Sequence, residues 1–441
     1  MTYGPKQNKI LTIYFQQFLR VIVLTLSFSV WAFSEEILED DFFEDDIELE
    51  LEEDFDHSEV VELEGVILEE SQGQVNSGES VFDLIQSSIT FGNFNSHLSS
   101  SNSSKSKLIL NMSSSPEINN IGFLDISVNF EIDSRNKEVS NDLMLLNIQN
   151  SLENLRWKLG KYRKTWGDVE GTSVLDVINP AGSILSQSLP GLELPSRWLG
   201  ETSVFIGSNT FEIFFSFHPD TLHAVNSTSR DSGSEIGFKS SFDIERGQLN
   251  FYLGSLFPRV GVINVASGLS DSSRYNLVGI SAHKEIENYL VKFDLAKKIN
   301  LKRSTASEIV KDDRTDAALG IEYAPNTYDQ LSLTLEGSLW DDSARVYYIP
   351  GSSGILLEET ESLSYNVAYS RNTVDEKLNA TISVGGNMNG NSSYLAGEST
   401  YSISDYTKIK ANILLLEAEP NDPSYSYDNS KWINLGFTRY F

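Results

Sequence analysis

Residues 159–201 read LGKYRKTWGDVEGTSVLDVINPAGSILSQSLPGLELPSRWLGE and interrupt a chain that is otherwise a series of short alternating segments. For about thirty residues the alternation gives way to Gly, Pro, Asn and small apolar residues, a composition typical of a folded loop. Such a loop is too apolar to lie in water. We therefore expect it to fold back against the strands that flank it.

The segments on either side of the loop alternate between apolar and polar residues with a period of two, as half-buried strands do. Residues 124–132 place apolar side chains at even positions and polar side chains at odd positions. The same split recurs in residues 211–217, 250–253, 331–336 and 363–369. Segments of about ten residues with one apolar face form either half of a soluble sandwich or the wall of a transmembrane barrel.

The connections between the segments favour the barrel. Tight connections, such as Ser208-Asn209 and Glu287-Asn288, alternate with longer polar ones, such as 219–233, 300–316 and 341–361. Outer-membrane barrels have short periplasmic turns and long outer loops, so the alternation predicts that both termini are periplasmic. We therefore predict an all-β, transmembrane antiparallel barrel of about 16–18 strands, whose third outer loop is the opening stretch and folds into the lumen.

The N-terminus has the features of a secretory signal peptide, predicted to span residues 1–34. A basic start precedes an apolar run at 21–30, and small residues for cleavage stand at Ala32 and Ser34. The alternative is a transmembrane anchor, but the apolar run is shorter than the roughly 20 residues that a membrane-spanning helix needs.

An acidic segment follows, predicted to span residues 35–86. Nineteen Asp and Glu residues and no Lys or Arg occur between 35 and 70. Because a block of like charge repels itself, we expect a disordered periplasmic segment. The alternatives are weak divalent-cation binding or docking to a basic periplasmic partner, with Phe42 and Phe43 as apolar anchors. The barrel is then predicted to span residues 87–441.

Composition and motifs exclude several function classes. The formal net charge of −30 argues against nucleic-acid binding. The chain has no cysteine, which removes thiolate metal sites and cysteine nucleophiles. Its five histidines are scattered without a metal-ligand spacing, and no Gly-x-Ser-x-Gly element is present. We expect no enzymatic activity, no cofactor and no metal site.

The last predicted strand carries an assembly signal. It places Ile433, Leu435 and Phe437 on one face and ends at Phe441. A terminal Phe on an alternating strand resembles the signal that delivers bacterial outer-membrane barrels to their assembly machinery, although Arg439 stands where an aromatic residue is usual. The resemblance implies an outer-membrane location, with the assembly machinery, outer-membrane lipid and lipopolysaccharide as partners.

A motif near the start of residues 159–201 carries a resemblance to a more specific family. The sequence GKYRKTWG at 160–167 resembles the Gly-Arg-Gln-x-x-x-Trp-Gly element of a family of porin-like outer-membrane proteins of Gram-negative bacteria, in which an Asp and an Asn-Pro follow. Lys161 and Tyr162 replace the Arg and Gln of that element. The matching residues here are Gly160, Trp166, Gly167, Asp176, Asn179 and Pro180.

Parity along the strand before the loop predicts the pore-lining residues. If Leu155, Trp157 and Leu159 face lipid, their neighbours face the lumen, because alternate residues of a strand point to opposite sides. A row of cations beside an acidic loop would set a transverse field, the usual basis of charge selection. The alternative is that these charges pair and hold the loop against the wall. The predicted constriction residues are Arg156, Lys158, Tyr162, Lys164, Asp168, Glu170, Asp176 and Arg197.

The function expected from these features is diffusion of small hydrophilic solutes through a channel that the loop 168–197 constricts. Two other classes stay open. One is a conduit for export or uptake of a specific molecule, such as a polysaccharide or a hydrophobic compound. The other is a barrel without transport, such as an adhesin or a structural protein. The transported solute and the oligomeric state do not follow from the sequence.

Overall fold

The structure is a computed structural model, and it describes most of the chain after residue 85. The described residues are 86–98, 101–118, 122–133, 138–179, 196–216, 233–259, 261–268, 270–271, 273–351, 354–373, 377–388, 392–420, 422 and 428–440. The predicted signal peptide, almost all of the acidic segment, the loop residues 180–195 and Phe441 lie outside this set.

Eighteen long strands form one antiparallel barrel in which each strand pairs with the next along the chain. They are β1 (Gln86–Leu98), β2 (Ser101–Ser114), β4 (Gly122–Asp133), β5 (Glu138–Leu152), β6 (Leu155–Tyr162), β7 (Arg197–Ile206), β8 (Asn209–Ser216), β9 (Glu235–Ile244), β10 (Gly247–Leu256), β13 (Tyr275–Ile286), β14 (Tyr289–Thr305), β15 (Ile309–Tyr323), β16 (Asp329–Trp340), β19 (Glu361–Asn372), β20 (Leu378–Asn387), β21 (Ser392–Ser404), β22 (Thr407–Ala418) and β23 (Ser430–Tyr440). The last strand pairs back on β1, from Ser88 with Tyr440 to His97 with Lys431, which closes the sheet. The predicted fold class is confirmed, with the strand number at the upper end of the predicted range.

The described residues also form five short strands, of which β11 and β12 pair only with each other in a separate two-stranded sheet. The five are β3 (Glu117–Ile118), β11 (Val262–Ile263), β12 (Ser270–Asp271), β17 (Tyr347–Gly351) and β18 (Gly354–Glu358). The hairpin of β17 and β18 lies in the predicted connection 341–361, and β17 also pairs with the end of β14. No helix among the described residues is long and apolar enough to span a bilayer.

The predicted outer connection 300–316 is wrong, because β14 continues to Thr305 and β15 begins at Ile309. Its polar residues suggested a loop, but they are paired in an extension of the two strands beyond a register shift after Lys298. The extension is held by Arg303, whose guanidinium lies 4.1 Å from the ring centre of Trp340 and 3.4 Å from that of Tyr347.

Alternation assigns the two faces of the barrel. Most exposed large apolar side chains of the strands, among them Phe251 and Leu253 on β10, share one face, while Asn250 and Tyr252 on the other face are buried. An apolar outer face is what hydrocarbon requires of a barrel wall. We call the face of Phe251 outward and that of Tyr252 inward, and cross-strand partners carry the assignment around the barrel.

The connections at one end of the barrel are tight. Residues 153–154, 207–208, 245–246 and 287–288 each join two strands. Positive φ angles occur in all four, at Glu153, Gly207, Arg246 and Glu287. Two-residue hairpins of the primed type need positive φ because their twist must match that of the strands. We call this end the turn end and the other the loop end.

Candidate functional site

The strand before the loop presents a basic row to the inside. Leu155 and Leu159 are exposed on the outward face of β6, and Arg156, Lys158 and Tyr162 have the inward parity. The Lys158 ammonium lies 4.7 Å from the ring centre of Tyr162, which is buried. Parity along the strand therefore positions these side chains.

Residues 163–179, here called the docking segment, leave β6 and pack on inward side chains of the wall from β7 to β16. The segment and the wall share one apolar core. Its fully or nearly fully buried members are Tyr162, Trp166, Val169, Val174, Leu175, Val177, Ile178, Leu199, Phe214, Tyr252, Leu256, Tyr275, Leu277, Ala296 and Ala318. Removal of this surface from water stabilises the docked arrangement by about 25 cal/mol per Å² of apolar area.

Two motif residues fit closely at the start of the docking segment. The Trp166 ring lies 5.1 Å from that of Phe214, edge to face, and 5.2 Å from that of Tyr252. Gly167 has a φ of 89°, and a Cβ atom there would meet the Asp294 carboxylate. Glycine is thus required at position 167 both by its backbone conformation and by the close approach of β14.

Carboxylates of the wall hold the backbone of the docking segment. Asp294 on β14 accepts hydrogen bonds from the backbone N–H groups of Asp168 (2.9 Å) and Val169 (3.2 Å). Glu336 on β16 accepts from the N–H (3.0 Å) and the hydroxyl (2.8 Å) of Ser173. Lys298 donates to the Ser173 carbonyl at 3.0 Å. These bonds satisfy backbone groups that docking removes from water.

Asp168 is held by side chains of the wall. Its carboxylate accepts hydrogen bonds from Ser281 (2.6 Å) and Asn250 (3.1 Å), and the Nδ1 atom of His283 lies 3.4 Å away. Burial opposes ionisation, but the hydrogen bonds of His283 and Ser281 lower the pKa of Asp168 below its ordinary value. The carboxylate therefore stays charged while docked.

The pKa of Asp176 is shifted in the opposite direction to that of Asp168. Its ion-pair partner Arg163 is 3.8 Å away and partly exposed. Burial raises the pKa of Asp176 to about 7, and Arg163 and Arg259 offset only part of that effect. This carboxylate therefore titrates near neutral pH.

A buried ion cluster holds the far end of the docking segment. The Glu235 carboxylate on β9 is 0% exposed and lies 2.8 Å from Arg197 and 3.2 Å from Arg259. Arg197 also donates to the carbonyl of Ile178 (2.9 Å), and Arg259 donates to that of Val177 (2.6 Å). Sequence reasoning found Arg197 but missed Glu235 and Arg259, since they lie on another strand and in another connection.

Lys164 pairs with the wall instead of the loop. Its buried ammonium lies 2.8 Å from Glu201 and 2.6 Å from Glu212, and its carbonyl accepts a hydrogen bond from Asn179 at 2.6 Å. Arg197 likewise pairs with the wall, through Glu235. The expectation that these two cations face the loop carboxylates differs from the observed pairing, because carboxylates on neighbouring strands lie closer.

The loop carboxylates take separate partners. Asp168 lies beside His283, and Asp176 lies beside Arg163. Glu170, with 88% of its side chain exposed, is 3.5 Å from Lys292. Pro180, the last motif residue, lies outside the described residues. No group of three or more His, Cys, Asp or Glu side chains within the described ranges is placed to hold a metal ion.

The wall from β19 to β23 has a different inner surface, which we call the neutral wall. Its polar inward residues include Ser362, Ser364, Asn366, Ser370, Thr381, Ser383, Thr400, Asn412, Asn434 and Thr438. Of the inward side chains that the structure describes on these strands, the charged ones are Glu398, Lys408 and Lys410, and Glu398 pairs with Lys410 at 2.6 Å. Towards the loop end the same face carries a buried apolar cluster of Tyr394, Ala396, Leu414, Leu416 and Trp432.

Comparison with known proteins gives matches to solved structures. No family model matches the sequence, and no curated protein matches it. The outer membrane protein OpdK of Pseudomonas aeruginosa is 13% identical with a TM-score of 0.50, and the match covers 81% of this chain and 99% of that one. OccK8 (OprE) of the same organism is 10% identical with a TM-score of 0.50, covering 81% and 97%. OccD3 (OpdP) is 11% identical with a TM-score of 0.50, covering 81% and 91%.

At these identities the likeness concerns the fold. The closed eighteen-strand antiparallel barrel is a porin-like fold. The resemblance to porin-like barrels in the sequence is supported at the level of that broad class.

Proposed function

We propose that this protein is an outer-membrane channel through which small hydrophilic solutes diffuse, and that the loop 168–197 constricts it. The observation that carries the proposal is the contrast inside one closed barrel, where a docked segment covers one wall and the other wall has polar inward residues. Barrels of about 16–18 strands are wide enough to leave an aqueous channel. A segment that covers only one wall narrows such a channel without filling it.

The outer-membrane location belongs to the same proposal. The outward face is apolar around the barrel, and tyrosines lie near its turn end, including Tyr289 and Tyr323, whose rings stack at 4.7 Å. An apolar band edged by aromatic residues is how such barrels fit a bilayer. Phe441 remains the predicted contact with the assembly machinery, and lipid and lipopolysaccharide remain the predicted surroundings.

Cysteine labelling tests the channel directly, because the natural chain contains no cysteine. Ser383 has inward parity on β20, and the adjacent Val384 is exposed on the outward face. Single-channel conductance would be measured in planar bilayers for Ser383→Cys and Val384→Cys, before and after a charged methanethiosulfonate reagent. We expect open steps in both, and a conductance decrease on labelling in Ser383→Cys alone. Absence of open steps would refute the channel.

The constriction needs a separate test on the docking segment. Glu170 is largely exposed, so a reagent attached there would project away from the wall. If the segment narrows the lumen, labelling Glu170→Cys lowers conductance by a larger fraction than labelling Ser383→Cys. Equal or smaller block at position 170 would place the narrowest point elsewhere.

A further inference from the structure

We infer that the solute path selects uncharged polyhydroxylated molecules, such as monosaccharides and polyols, over charged solutes of the same size. The inference rests on the proposed channel and specifies its substrate class. It follows from where the charged and the neutral hydrogen-bonding groups lie inside the barrel.

The neutral wall offers closely spaced hydroxyl and amide groups. The Ser370 and Thr381 hydroxyls lie 2.8 Å apart on adjacent strands, and Tyr394 donates to the Asn366 side chain at 2.8 Å. The series continues onto β1, where the hydroxyls of Thr90 and Thr438 are 2.9 Å apart. Hydroxyls both donate and accept, so such a surface can exchange hydrogen bonds with a sugar in many orientations.

Opposite the neutral wall, the charges beside the docking segment are compensated locally, whereas the inward cations Arg156 and Lys158 lie nearer the turn end of β6. Arg163 faces Asp176 within the docking segment, and Lys292 lies 2.5 Å from Glu322 and 3.5 Å from Glu170. Charge selection across a pore needs fixed charge of one sign, or opposite charges on facing walls. On the neutral wall, Glu398 and Lys410 form a local pair, and the third charged side chain, Lys408, lies near the turn end with its ammonium 5.6 Å from the ring centre of Tyr440.

These two arrangements have one consequence for a solute in the narrow part of the lumen. A charged solute that sheds water there meets hydroxyls and compensated ion pairs, and its lost hydration is poorly replaced. An uncharged solute loses only hydrogen bonds with water, which the neutral wall replaces. The difference raises the barrier for both cations and anions.

Permeation of three sugars of matched size tests the inference. Proteoliposomes containing the full-length protein would be assayed for entry of glucose, glucuronate and glucosamine at one pH and ionic strength. We expect glucose to enter at least about fivefold faster than either charged analogue. Glucuronate or glucosamine entering as fast as glucose would overturn the inference, while the channel would stand. If none of the three entered, the proposed channel itself would fail.

A charge placed on the neutral wall shows whether that wall is responsible. Ser383→Asp should raise the entry rate of glucosamine relative to glucuronate by about fivefold and slow glucose. Ser383→Asn, which has nearly the size of the Asp variant without its charge, should keep the wild-type order. Heat-modifiable gel migration confirms that both variants are folded. Identical sugar preferences in folded Asp and Asn variants would overturn the role of the neutral wall.

Discussion

The wall under the docking segment and the neutral wall share the same alternation but carry different inward side chains. The wall from β7 to β16 buries ion pairs such as those of Glu235, whereas the ion pair of Glu398 and Lys410 on the neutral wall is about two-fifths exposed. Buried charges need partners, and here the partners are neighbouring strands and the backbone of the segment. The buried charges of the wall from β7 to β16 therefore serve mainly to hold the docking segment, whereas the neutral wall presents mostly uncharged side chains to the lumen.

The largest expected difference between the two walls is in the cost of removing one carboxylate. Glu235→Gln leaves Arg197 and Arg259 buried without a counter-charge, so we expect a loss of about 3–5 kcal/mol in the free energy of unfolding. The matched control, Glu398→Gln, breaks an exposed pair and should cost about 0–1 kcal/mol. Urea unfolding from lipid vesicles measures both. Equal losses would remove the distinction between the walls.

A smaller effect is expected when a backbone acceptor is removed. Asp294→Ala leaves the N–H groups of Asp168 and Val169 without their partner, which should weaken docking by about 1–3 kcal/mol. Hydrogen exchange at these two amides measures the change. Asn366→Ala on the neutral wall is the control and should leave their exchange rates unchanged. Unchanged exchange in Asp294→Ala would mean that the apolar core alone holds the segment.

Two glycines provide a third comparison. Gly167→Ala forces a positive φ on alanine and presses its Cβ towards Asp294, at a cost of about 1–2 kcal/mol for the backbone conformation alone. Gly436 on the neutral wall has no heavy atom closer than 3.8 Å to an added Cβ, so Gly436→Ala should be nearly neutral. The temperature at which each variant loses its heat-modifiable gel migration measures the two effects. Similar thermal shifts would argue against close packing at Gly167.

Much of the fold could be predicted from the sequence because alternation is local. Side chains at Arg156, Lys158 and Tyr162 take the parity that their strand dictates, and the apolar residues Val174, Leu175 and Ile178 are buried in the docking segment. Each of these features depends on neighbours within a few positions. The extension of β14 past Asn300 was missed because its polar composition is that of a loop.

The pairing of charges could not be predicted in the same way. Lys164 and Glu201 are brought together by the register of β6 with β7. Arg259 lies in the connection after β10, and that connection brings it beside Glu235 on β9. Parity specifies the face on which a residue lies but not the strand that lies opposite. A sequence alone therefore indicates an inward cation and leaves its partner open.

A further difference between the walls is expected in the pH dependence of docking, through Asp176. Its pKa is raised to about 7 from an ordinary value of 3.8, so the docked segment holds a proton that the released segment loses. Docking is then strongest at low pH, weakens as pH rises from about 4 to 7, and levels off above that range. Asp168 does not contribute to this change, since its lowered pKa keeps it ionised throughout the interval.

Asp176→Asn removes the titrating group at nearly constant size and tests this argument. Amide exchange across residues 163–179, compared at about pH 5 and about pH 8 after correction for intrinsic rates, should show weaker protection at the higher pH in the natural protein. In Asp176→Asn that change should shrink, and the difference between the two proteins isolates the contribution of Asp176. Strand β20 of the neutral wall supplies the internal control, because it contains no Asp or Glu, and its protection should not follow the same curve. A pH response of equal size in both proteins would assign the effect to another group and leave Asp176 as a packing residue.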